Sequence, residues 1–67
     1  MSYLAVDLDG EEFIYEYKPT RDEESKCFRA GDEYDDNYVL LPKGSIEKLI
    51  GKKMTWNNEP YEYLGDI

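Results

Sequence analysis

Carboxylates are the groups in this chain with the most chemical potential, and they come in clusters. The stretch GDEYDDNY, residues 31–38, puts Asp32, Glu33, Asp35 and Asp36 within five positions and brackets the last two with Tyr34 and Tyr38. Oxygen groups at that density suit a cation, an imitation of a nucleic-acid backbone, or plain solvation. The cation reading fails on spacing, because Tyr34 stands where an alternating ligand series begun at Asp32 needs an oxygen. DLDG, residues 7–10, has part of an EF-hand spacing: with Gly10 at the sixth position of the loop, Asp7, Asp9 and Glu16 fall at the third, fifth and twelfth. Ala5 then occupies the first, where a ligand is essential, and the flanks alternate like strands rather than helices. Asp7 and Glu12 form one last pair, set across from each other by the hairpin that Asp9-Gly10 implies. Like charges so placed need solvent, a cation or a lysine such as Lys52 or Lys53 between them. Solvent is the simplest of these, so no metal centre is expected.

Catalysis lacks its usual carriers. The sequence has no His and a single Cys, Cys27, so it offers neither a proton shuttle near neutral pH nor a base to activate the thiol. A carboxylate pair doing acid–base work needs a pocket that separates its pKa values, which 67 residues have little material to enclose. A glycine-rich phosphate loop, an HExxH pattern and a CxxC pair are all absent. The expectation is a non-enzymatic protein that binds rather than transforms, with no cofactor.

Sixteen acids against eight bases give a formal net charge of -8. That field repels DNA, RNA and anionic lipid, so no direct nucleic-acid or membrane binding is expected; it attracts proteins whose basic grooves hold nucleic acid. Alternate strand residues stand ~6.6 Å apart on one face, close to two phosphate steps of ~3.4 Å along a DNA strand, so rows of strand carboxylates can imitate a backbone. The candidates are Asp7, Glu12 and Glu16 on the hairpin, Asp22, Glu23 and Glu24 in the loop after it, and Asp32, Glu33, Asp35 and Asp36. Tyr34 among them suits the anchor of a protein interface. Charge runs of this kind also serve solubility alone. The bases are segregated: residues 43–53 carry four lysines and one acid, against twelve acids and four bases in residues 1–42. Lys43, Lys48, Lys52 and Lys53, with Arg21 or Arg29 and with Trp56 to stack on a base, make an alternative site for an anionic small ligand, such as a signalling nucleotide, held at a subunit junction.

Positioning these groups falls to short elements. Residues 3–17, YLAVDLDGEEFIYEY, alternate on both sides of Asp9-Gly10 and predict a hairpin with a two-residue turn. That register pairs Val6 with Phe13 and Leu4 with Tyr15 on one strongly apolar face, leaving Tyr3, Ala5, Asp7, Glu12, Ile14 and Glu16 on the other. KPTRDEES, residues 18–25, holds a proline and five charges and predicts an exposed loop. KCFRA at 26–30 and the run near 37–41 that ends at Pro42 predict strands. In LPKGSIEKLIGKK the period changes: Ile46, Leu49 and Ile50 share a helical face, Gly44 or Ser45 starts it, and Gly51 suits a left-handed stop. KKMTW at 52–56 and PYEYL at 60–64 predict two last strands, with Met54 and Trp56 on one face and a turn through Asn57, Asn58 and Glu59 between them. Tyr61 and Tyr63 share a face and read as half-buried core. The fold class expected is mainly β, a strongly bent antiparallel sheet or small SH3-like barrel of five or six strands with one short helix near 45–50, in a single domain.

LPKGSIEKLIGKKMTWNNEPYEY, together with YLAVDLDGEEFIYEY, resembles small acidic proteins of unknown function encoded by bacteriophages and mobile elements. The likeness lies in a hairpin start, an LPKG-helix-glycine turn and a tryptophan strand. It implies a bacterial host cell as the setting and a host protein with a basic surface as the partner, inhibitors of CRISPR or restriction effectors being a prominent class of short phage proteins. A structural or accessory phage protein is the other role it implies. A single cysteine and an N-terminus without a basic region fit a reducing, cytoplasmic compartment. At this length the core is small enough for self-association to add to stability.

Overall fold

The computed structural model describes residues 1–30 and 38–65. Among these residues, six strands and one helix follow in the order β1 (Ser2–Val6), β2 (Glu12–Tyr15), β3 (Thr20–Asp22), β4 (Cys27–Arg29), β5 (Tyr38–Leu41), α1 (Ser45–Ile50) and β6 (Tyr61–Tyr63). They form two antiparallel sheets, one ordered β5-β2-β1-β6 and the other β3-β4. The class is mainly β with one short helix, as the sequence predicts. The strands divide between two sheets, and no closed barrel forms among the described residues.

The turn between β1 and β2 sets the register of the hairpin. Gly10 donates to the Asp7 carbonyl at 2.9 Å and Asp7 donates to the Glu11 carbonyl at 3.0 Å. Gly10 has φ 90° while Asp9 stays outside the positive-φ region. A two-residue type I′ turn needs positive φ at both central residues; one glycine in that region instead closes a three-residue loop with a bulge. Asp9 supports it by accepting the Glu11 N–H at 3.0 Å. The extra residue moves the register, so that Leu4 pairs with Ile14, Ala5 with Phe13 and Val6 with Glu12. A one-residue slip exchanges faces. The single apolar face expected of this hairpin is therefore corrected to two half-apolar faces, with Leu4, Val6 and Ile14 on one and Tyr3, Ala5, Phe13 and Tyr15 on the other.

Both faces are covered. On the first, Ile46 of α1 packs against Leu4, Val6 and Ile14, with Leu41, Ile50, Met54, Tyr61 and Tyr63 around them. The helix begins and ends where glycine permits: Gly44 and Gly51 take left-handed φ of 94° and 79°, and the Gly51 N–H closes on the Glu47 carbonyl. On the second face, Phe28 of β4 packs against Ala5 and Tyr15, with Trp56 beside it.

Two predicted elements are corrected here. Thr20–Asp22, inside the stretch 18–25 predicted as loop, is a strand paired with the expected strand at Cys27–Arg29, because the intervening residues build a self-supporting turn. Residues 52–56 form no strand. Past the Gly51 stop, Thr55 opens a turn of its own, in which Asn58 donates to the Thr55 carbonyl at 3.0 Å and the Thr55 N–H donates to the Asn58 side chain at 2.8 Å. Met54 and Trp56, expected on one face, consequently join opposite cores. No helix among the described residues is long and apolar enough to cross a membrane.

Candidate functional site

Asp7 and Glu12 do not face each other. The slipped register puts Val6 opposite Glu12, and each acid serves a different face. Glu12 Oε2 accepts the Gly44 N–H at 2.7 Å and Oε1 the Ile46 N–H at 2.8 Å. The α1 N-cap is a glycine with no side-chain cap of its own; Glu12 supplies one from β2, placing a carboxylate where orphan donors and the helix dipole favour it. Asp7 Oδ1 accepts the Phe28 N–H at 2.9 Å, and next to it the Leu8 N–H donates to the Lys26 carbonyl at 3.3 Å. Burial pushes the Asp7 carboxyl above its ordinary value, the Phe28 bond opposing and the charge of Asp9 adding. Both carboxylates are thus fastened to backbone. Among the described residues no group of three or more His, Cys, Asp or Glu side chains is placed to hold a metal ion.

Asp22 is engaged in the same way. Its Oδ1 accepts the N–H groups of Glu24 at 3.0 Å and Ser25 at 3.4 Å, and its Oδ2 pairs with Arg29 Nε at 2.5 Å. The Arg29 bond is the main reason the Asp22 carboxyl falls to about 2. This Asx turn, completed by Lys26 at φ 59°, leaves the side chains of Glu23 and Glu24 exposed and without a hydrogen bond or ion pair among the described residues. The Leu8–Lys26 bond joins the turns of the two hairpins. Of the acidic candidates singled out in the sequence, Glu16, Glu23 and Glu24 are exposed without a partner among the described residues, Asp22 supports the turn that carries the last two, and Asp32, Glu33, Tyr34, Asp35 and Asp36 lie outside the described residues.

The basic set is dispersed. A cleft of about 420 Å³ brings Lys43 and Lys53 together with Gly44, Ile46 and Met54, but Glu12 and Glu47 share its lining. Lys52 stands 5.1 Å over the Tyr61 ring, and Lys48 is exposed in the last turn of α1. Trp56 belongs to the other face. Its ring lies 5.2 Å from Phe28, edge-on, and 4.4 Å from the Arg21 guanidinium. Arg21 is also 4.8 Å from the Phe28 ring, donates to the Trp56 and Asn58 carbonyls, and pairs with Glu59 at 3.5 Å. The tryptophan that a nucleotide base would stack on is already covered by an arginine. This role of Arg21 is not expected from the sequence, because the groups it bonds to lie 35 and 37 residues away.

A recess of about 320 Å³ opens beside that stack, lined by Phe13, Tyr15, Cys27, Phe28, Arg29, Ala30 and Tyr38. Its aromatic wall is continuous: the Tyr38 ring lies 5.9 Å from Phe13 and 5.5 Å from Tyr15. Burial, then the charge of Asp7, pushes the Tyr15 phenol above its ordinary value, so it stays neutral. The Cys27 thiol rests 3.1 Å from the Ser25 hydroxyl. Fold and geometry define a small two-sheet β protein in which Asp7, Glu12 and Asp22 are fastened to backbone. The chain matches no protein-family model, no curated protein and no solved structure at a significant level.

Proposed function

We propose that this is a non-enzymatic binding protein whose acidic surface occupies the basic, nucleic-acid-binding site of another protein. The resemblance to phage proteins implies the setting, the cytoplasm of a bacterial host, and the target class, a CRISPR or restriction effector. The observation that carries the reading is the tip between β3 and β4. Asp22 bonds the turn from within, so Glu23 and Glu24 project from a hydrogen-bonded support that is itself joined to the turn containing Asp9. A turn whose backbone is already fixed has less freedom to lose on binding, and its carboxylates steer a basic partner toward it. The net charge of -8 extends that attraction beyond contact distance. Asp32, Glu33, Asp35 and Asp36, with Tyr34 among them, supply further charge and an aromatic group to the same kind of partner.

Capture of the tagged chain's partners from host lysate at low and high salt tests this reading. A basic nucleic-acid-processing protein should be retained at low salt and released by salt or by competing DNA. It should be lost when Glu23, Glu24, Asp32, Glu33, Asp35 and Asp36 are changed to Gln or Asn. Binding that is indifferent to salt and to those substitutions rules the acidic surface out.

A further inference from the structure

The two longest runs without a charged residue in this chain are 1–6 and 37–42. The first supplies β1, an inner strand of the four-stranded sheet that is largely buried, where that composition belongs. The second supplies β5, which lies at the edge of the same sheet with Tyr38 43%, Val39 45% and Leu40 54% exposed. An edge strand normally carries a guard against pairing with another chain. β6, the opposite edge, has one: it is three residues long, exposes Glu62 at its centre and comes directly after Pro60. β5 has neither a charge nor a proline, and its four residues pair with β2 in unbroken register.

The backbone of β5 is available as well. Asp7 bonds to Glu11, and alternation along the antiparallel ladder then turns the peptide groups of Phe13 and Tyr15 toward β1 and those of Glu12 and Ile14 toward β5. Leu41 and Val39 answer them. The N–H and C=O groups of Tyr38 and Leu40 consequently point away from the sheet, with no partner among the described residues.

We propose that β5 is a dimer edge: two copies of this chain pair β5 with β5, antiparallel across a two-fold axis, and join their four-stranded sheets into one. A register centred on Val39 sets Tyr38 of one copy opposite Leu40 of the other, twice, each pair exchanging both backbone bonds. Charge selects a second copy as the occupant. Lys43 is exposed just beyond one end of β5, and Glu16 is exposed beside the other, next to the Tyr15–Tyr38 pair. Antiparallel self-pairing brings the basic end of each copy to the acidic end of its mate. A basic partner is drawn to the acids elsewhere on the molecule and finds none on β5, whereas an uncharged strand fits it.

Sedimentation equilibrium of the purified full chain over a concentration series tests the proposal with no other protein present, so its outcome is independent of the acidic-surface reading. The mass expected is twice 7.9 kDa, falling toward 7.9 kDa on dilution. Leu40→Lys alters a side chain exposed in the single copy, and Leu40→Pro removes an N–H that no described residue uses; both should be monomers with the wild-type circular dichroism. Glu62→Lys, on the opposite edge, should remain dimeric. Hydrogen exchange of the wild type needs no variant to fold: protection of the Leu40 amide should rise with protein concentration. A chain that stays at 7.9 kDa at every concentration, a dimer that survives both Leu40 substitutions in folded protein, or Leu40 protection independent of concentration overturns the proposal.

Discussion

On one face of the four-stranded sheet, Glu12 reaches α1 with two hydrogen bonds; on the other, Asp7 reaches β4 with one, from a place where burial disfavours its charge. The two acids come from one hairpin and do the same work of fastening a covering element by its backbone. Their surroundings differ. The α1 face is aliphatic, closed by Ile46 on Leu4, Val6 and Ile14, and its helix terminus calls for a negative charge. The β3–β4 face is aromatic, with Arg21 beside both Phe28 and Trp56, and asks of Asp7 only an acceptor. An acid in this sequence is therefore not by itself an acidic surface, since Asp7, Asp9, Glu12 and Asp22 all accept backbone N–H groups.

The strongest way to break the comparison is to hollow each face in turn. Phe28→Ala should cost about 3–5 kcal/mol and Ile46→Ala about 2–5 kcal/mol. A chain of 67 residues has only about 3–10 kcal/mol in all. Because both cores rest on the same two strands, urea unfolding followed by Trp56 fluorescence and by far-UV ellipticity should give one coincident transition in each variant. If Phe28→Ala shifted the Trp56 signal and left the ellipticity transition in place, the two faces would be separate units.

How much of this is legible in the sequence depends on how local the cause is. The hairpin, β5 and α1 with both its glycines arise from period and turn residues a few positions apart, and they appear where expected. The hairpin register is not legible in that way, because Asp-Gly serves two- and three-residue loops alike; here the longer loop also lets Asp7 meet Phe28, 21 residues away. β3 is hidden for the same reason. TRD has no apolar pattern, and the bonds from Arg21 that fasten it go to carbonyls 35 and 37 residues off. KKMTW shows the converse, a strand-like pattern overruled by the Gly51 stop and the Thr55–Asn58 turn. Among the acidic candidates, Asp22 carries the same charge as Glu23 and Glu24, and its turn partners set it apart.

A gentler test applies one chemical change to both fastening acids. Glu12→Gln removes a charge from two backbone donors and should cost about 1–2 kcal/mol in urea unfolding at neutral pH, since hydrogen bonds to charged groups exceed neutral ones by roughly that amount. Asp7→Asn keeps an oxygen for the Phe28 N–H and removes a charge that burial penalises, so the urea midpoint should hold level or rise. Equal losses in the two variants would mean that the faces do not differ in what they require of a carboxylate.

The smallest effect separates Asp7 from Asp22 by pH. The folded-state value for Asp7 lies above 3.8, so its favourable contribution is complete below pH 3.8 and is lost as pH rises through the folded value. Asp22, at about 2 when folded, contributes in the opposite sense: its share is present above pH 3.8 and disappears as pH falls toward 2. Acidification from neutral pH should therefore raise the Asp7 share first and then remove the Asp22 share. Subtracting the urea midpoints of each variant from those of the wild type across pH isolates the two, because the repulsion among the other acids is common to all three chains. The Asp7→Asn difference should change above pH 3.8, and the Arg29→Ala difference, which removes the partner that holds Asp22 low, should change below it. Differences that move together through one pH window would show that general charge repulsion, and not these two sites, sets the acid behaviour of the fold.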